Sequence, residues 1–117
     1  TLTYYGKMIN DGLAEYKKGN YDKSANIWRK VLKHNGNYDQ AYIGIGRALL
    51  REKNYKEAMN YFELKLDAKN YSKAFKLYRE VWFEENIGTI LIIIAILILL
   101  GFGVGFVKKA RREVEKG

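Results

Sequence analysis

The chain has 117 residues, too few for two ordinary domains, and it contains neither proline nor cysteine. Without cysteine it has no disulfide, thiolate metal site or thiol nucleophile, and with His34 as its one histidine a histidine-based metal site or triad is not expected. The formal charge is +8, but up to Asn86 sixteen Lys and Arg are scattered among eleven Asp and Glu and form no stripe of the kind that tracks nucleic acid.

In chain order, the first organised feature is a repeat. Shifting the sequence by 34 residues brings Tyr4 onto Tyr38, Gly12 onto Gly46, Ala14 onto Ala48 and Asn20-Tyr21 onto Asn54-Tyr55. The same shift aligns Ser24 with Ala58, Trp28 with Phe62 and Leu32 with Leu66. The small residue followed by an aromatic four positions later occurs twice, as Ser24 with Trp28 and Ala58 with Phe62. This pattern, over residues 5 to 70, resembles the tetratricopeptide repeat, a 34-residue helix-turn-helix that stacks on its neighbours. Gly12 and Gly46 would let each first helix lie close against its second, with Ser24 and Ala58 as the small residues opposite. Lys18-Gly19-Asn20 reads as the turn, and its counterpart Glu52-Lys53-Asn54 lacks the glycine. Two residues depart from the family pattern. Gly36 and Asn70 stand where a repeat usually closes with proline, and Lys65 stands where Val31 sits in the first repeat.

The resemblance implies a groove lined by the first helices of the hairpins, which receives a partner peptide or domain. The positions that would face it are Ile9, Leu13, Tyr16, Lys17, Ile43, Arg47, Leu50 and Arg51. Apolar residues mixed with Lys17, Arg47 and Arg51 suit an amphipathic helix or loop with some acidic residues. Ile9 and Leu13 stand where the carboxylate clamp of this family would need polar groups. The alternative for all eight is packing against an upstream domain or a further repeat.

After Asn70 the repeat fades. Tyr71 to Phe83 reads as an amphipathic helix, with Phe75, Tyr78 and Trp82 on one stripe that would cover the bare end of the stack. It would run into the membrane directly or through a bend at Gly88. A repeat hairpin, this aromatic helix and a single span are together similar to the C-terminal part of bacterial membrane proteins associated with sugar-type ABC transporters. That likeness would accommodate a chain that begins at Thr1, after a removed signal peptide or a further domain.

From Ile87 to Val107 there are 21 residues without a charge, and a helix of that length is about 31 Å long, matching the hydrocarbon core of a bilayer. Gly101 and Gly105 form one GxxxG, a position for close approach of another membrane helix. Trp82 and Phe83 on one side, and Lys108, Lys109, Arg111 and Arg112 on the other, are placed as membrane-interface anchors. The basic tail against Glu80, Glu84 and Glu85 before the span favours a cytoplasmic C-terminus and extracytoplasmic repeats.

The expected fold is all-α: two repeat hairpins in residues 1–70, a capping and juxtamembrane helix in 71–86, a transmembrane helix in 87–107 and a basic tail in 108–117. No catalytic constellation, cofactor site or metal site is expected. Gly44-Ile-Gly46 lies inside a helix and is no phosphate loop, and Glu84-Glu85 reads as a solvated face. The expected partners are a protein of a membrane complex and the lipid bilayer, with no nucleic acid and no small-molecule substrate. The leading function is a non-catalytic, membrane-anchored interaction subunit. The alternatives are a tail-anchored adaptor facing the cytosol from an organelle outer membrane, and the accessory domain of an enzyme whose catalytic part is elsewhere.

Overall fold

A computed structural model describes residues 3–117. Among the described residues five helices follow one another: α1 (Tyr4–Lys17), α2 (Tyr21–His34), α3 (Asp39–Arg51), α4 (Tyr55–Leu64) and α5 (Ala68–Lys116). The fold is all-helical, four short helices and then one long one. The chain forms two compact units, one ending at Glu80 and the other spanning Val81–Gly117, and α5 contributes to both.

In the first unit each of α2, α3 and α4 packs on the helix before it, and α1 also meets α3. The turns explain the hairpins. After α1, the Asn20 N–H donates to Glu15 O (2.9 Å) and the Gly19 N–H to Tyr16 O (3.0 Å), with Gly19 at φ +86°. These two bonds close the helix with one left-handed residue, the geometry glycine adopts without penalty. The turn after α3 repeats it 34 residues later: Asn54 N–H to Leu49 O (2.9 Å), Lys53 N–H to Leu50 O (3.1 Å), with Lys53 at φ +67°. The missing glycine leaves the turn intact, and a lysine occupies left-handed backbone at a cost of about 1–2 kcal/mol.

Close approach is set by two glycine–aromatic pairs. A Cβ on Gly12 would lie 3.1 Å from the Trp28 ring, and one on Gly46 would lie 2.6 Å from the Phe62 ring. The pairs are 34 residues apart, as the repeat predicts. Ser24 is fully buried, and its Oγ donates to Gly12 O at 2.7 Å, tying α2 to α1 through a satisfied polar group. Val31, Ala41, Ile45, Ala58 and Phe62 complete the centre of the core.

Two details differ from the repeat reading. α4 stops at Leu64, so it has ten residues where α2 has fourteen. Lys65 therefore does not replace Val31 inside a helix. Its Nζ reaches Asp39 (3.0 Å) and lies over the Tyr42 ring (4.4 Å). Leu66 does not match Leu32 either: Leu32 packs against the core, whereas Leu66 is exposed at φ +53°.

The start of α5 covers the stack, through Ala74, Tyr71 and Leu77. Phe75 and Trp82, predicted to lie on the packing stripe, are both exposed. Ala74 decides this, because a methyl group lets the helix sit closer than a phenyl ring would, and Phe75 is turned about 100° away from it. Phe75 instead stacks on Tyr71 (6.4 Å) and lies under Arg79 (5.6 Å). α5 begins at Ala68 and continues as helix through Gly88. Asp67 caps it, its carboxylate accepting from the Asn70 N–H (3.2 Å) and side-chain amide (2.7 Å).

In the second unit α5 is long and apolar enough to cross a membrane. Its apolar side chains from Leu91 to Val107 are exposed on every side. Such a surface is unfavourable in water and suited to lipid.

Candidate docking site

The sequence-predicted groove residues are brought together in part. Leu13 and Tyr16 from α1 face Gln40, Ile43, Gly44 and Arg47 from α3 across a cavity of about 270 Å³, with Trp28 of α2 also lining it. Two first helices therefore form the walls. Trp28 is 3% exposed, and a Cβ on Gly44 would lie 2.5 Å from its ring. The indole thus fits between α1 and α3 only because both helices carry glycine where they meet it, at Gly12 and Gly44. Leu13 is 47% exposed, an apolar side chain on a concave surface rather than in the core.

Arg47 supplies the charge. Its guanidinium lies 5.0 Å from the centre of the Tyr16 ring, and Arg51 lies 5.3 Å from that of Tyr21. Tyr16 and Tyr21 meet edge to face at 5.3 Å. The two arginines of α3 are thus held over tyrosines of the first hairpin. A cation–π contact of this kind holds the guanidinium beside the ring, and guanidinium is the side-chain group best matched to a carboxylate. Around the turn below, Glu15 accepts from the Asn20 amide (2.8 Å) and pairs with Lys18 and Lys23 (3.7 Å each). The Asn20 hydrogen bond, and after it the two lysines, hold the Glu15 carboxyl below its ordinary range.

Four predicted residues, Leu13, Tyr16, Ile43 and Arg47, line the cavity. Ile9 lies outside it, half-buried against the core. Lys17 and Arg51 are exposed outside it. Leu50 is a correction: it is 8% exposed and belongs to the core. α3 is the inner helix, packed by α1, α2 and α4, so the end of the strip assigned to the groove is closed over. The sequence reading missed Gln40, Gly44 and Trp28. Gln40 was detectable, since Gln40, Ile43 and Arg47 follow the helical spacing of one face. Trp28 entered the sequence reading only as the aromatic of the repeat signature, and the structure shows it both buried in the core and lining the cavity.

In the second unit, a Cβ on Gly101 or Gly105 would meet nothing within 4 Å beyond the adjoining residues and backbone of its own helix. With Ile98, Phe102, Phe106 and Lys109 they border an open furrow along α5. Trp82 and Phe83 are exposed before the apolar stretch of α5, and Lys108, Lys109, Arg111 and Arg112 after it. Among the described residues, no three His, Asp or Glu side chains converge as metal ligands would.

Compared with models of known protein families, with characterised proteins and with solved structures, the chain matches none.

Proposed function

We propose that the chain is a non-catalytic docking subunit of the tetratricopeptide-repeat type, held in a membrane by α5. Its partner is a protein of the same membrane complex, a bacterial transporter being the kind that the sequence resemblance suggests. One observation carries the reading. The cavity between α1 and α3 exposes Leu13 and Ile43 beside a guanidinium that lies over the Tyr16 ring, on a chain with a helix apolar enough to span a bilayer. The glycine–aromatic pairs Gly12–Trp28 and Gly46–Phe62 support the family assignment, because they recur at its period. The occupant is an amphipathic segment that places an apolar side chain between Leu13 and Ile43 and a carboxylate on Arg47.

The repeats lie outside the cytoplasm and the basic tail inside it, following the excess of Lys and Arg after the span. The furrow at Gly101 and Gly105 adds a second contact, to a helix of the same partner. Confinement to one membrane raises the effective concentration, so two modest contacts suffice for stable association.

Site-specific photo-crosslinking in cells tests this. A crosslinking residue at Leu13 or Gln40 should capture one membrane protein, and capture should fail when Arg47→Glu is added. The same residue at Asn60, exposed on α4, should capture nothing. Capture from Asn60 and none from Leu13 or Gln40 would reject the groove.

A further inference from the structure

Leu66 breaks two local rules at once. α4 closes with the same bond pair as α1 and α3: Asp67 N–H to Phe62 O (2.9 Å) and Leu66 N–H to Glu63 O (3.0 Å). That closure requires a left-handed residue, which glycine or asparagine adopts most readily. A leucine occupies it here, at φ +53°, and its side chain is 89% exposed. The strain brings no burial in return. Leu64, two residues earlier, is 64% exposed as well. Backbone strain of this kind persists where the side chain it displays has a use outside its own unit.

Beside Leu66 is a cavity of about 470 Å³ lined by Phe62, Glu63, Leu66, Asp67, Ala68 and Tyr71. The neighbouring charges leave it acidic. Lys65 is drawn away to Asp39 and the Tyr42 ring, and Lys69 is exposed outside the lining. Asp67 is occupied in capping α5. Glu63 has no ion-pair partner among the described residues and stands exposed at the rim.

We infer that this corner, where α4 turns into α5, is a second docking surface, and that it takes a basic amphipathic helix of a partner protein. An apolar side chain of that helix enters the cavity against Leu66 and Tyr71, and a Lys or Arg meets Glu63. The surface lies away from the α1–α3 groove and has the opposite charge preference. A second copy of the chain is a poor occupant, because a two-fold contact here would set Glu63 against Glu63.

The test uses the full chain in nanodiscs of neutral lipid, observed by amide NMR. The probes are a synthetic helix of leucine and lysine at helical spacing and its leucine–glutamate counterpart. The leucine–lysine helix should bind saturably and shift Glu63, Leu66 and Tyr71. Leu66→Asn should weaken binding about tenfold or more, the loss of roughly one good apolar contact, and Glu63→Lys should abolish it. Asparagine tolerates left-handed backbone, so Leu66→Asn should at the same time raise the melting temperature. Lys53→Gly, which relieves the equivalent turn after α3, should also raise it and leave binding unchanged. Equal binding by Leu66→Asn, a glutamate helix that shifts Glu63, Leu66 and Tyr71 as strongly as the lysine helix does, or lysine-helix shifts confined to Leu13, Ile43 and Arg47 would each overturn the proposal. The first two results leave the photo-crosslinking test of the groove untouched.

Discussion

At the scale of single residues, the most informative site outside the grooves is the carboxyl pair Asp22 and Glu52. Asp22 is in the first turn of α2, and Glu52 ends α3. Glu52, though exposed, is held above the ordinary carboxylate range, first by a hydrogen bond shared with Asp22, then by slight desolvation and by the Asp22 charge, with Arg29 acting the other way. Protonated Glu52 is therefore the form that folding favours. Its contribution to stability is complete below the unfolded carboxylate value, about 4.3, and is lost as pH rises through the higher folded value. At neutral pH the pair is repulsive. Glu52→Gln, which can still donate a hydrogen bond to Asp22, should raise the melting temperature at pH 7 and flatten its change between pH 4 and pH 7. The emission of buried Trp28 in a Trp82→Phe background measures this. A lower melting temperature at pH 7 would reject it. The sequence did not disclose this pair, because residues 30 apart on different hairpins meet only once the hairpins stack.

At the scale of elements, α3 organises the first unit. It packs against α1, α2 and α4, and Ala41, Ile45, Gly46, Ala48, Leu49 and Leu50 are all buried along it. Gly44 is the point where it yields to Trp28. An alanine there would bring its Cβ to 2.5–2.8 Å from three atoms of the indole ring. Alanine favours helix over glycine by about 0.5–1 kcal/mol, but overpacking of this kind costs about 1–3 kcal/mol. Gly44→Ala should therefore lower stability by about 1–2 kcal/mol, measured by denaturant titration of the full chain in micelles. Trp28→Phe should couple to it in a double-mutant cycle, since a smaller ring leaves room for the methyl group. Additive effects would show that Gly44 does not contact Trp28 in solution. Periodicity exposed the pairs at Gly12 and Gly46, because they repeat. Gly44 has no counterpart at Asn10, so the 34-residue comparison passed over it and only packing revealed it.

At the scale of the whole molecule, the proposed orientation is directly measurable because the chain contains no cysteine. Lys33→Cys, at an exposed position of α2, should react in intact cells with a membrane-impermeant maleimide. Lys116→Cys, at the last residue of α5, should react only after the membrane is opened. The reverse pattern would place the repeats inside. Sequence alone determined the helical class, the hairpin spacing and the apolar span, since each is a periodic or compositional signal that a chain carries before it folds. Of the eight positions that the family resemblance implied, Leu13, Tyr16, Ile43 and Arg47 line the cavity between α1 and α3. Tertiary structure decided the rest. It closed Leu50 into the core, ended α4 early so that Leu66 became exposed and strained, and turned α5 onto Ala74 rather than Phe75. The physical reason is the same in each case. Which side of an apolar helix is covered depends on how closely its neighbours approach, and that distance is set by a few small residues whose partners lie on other helices.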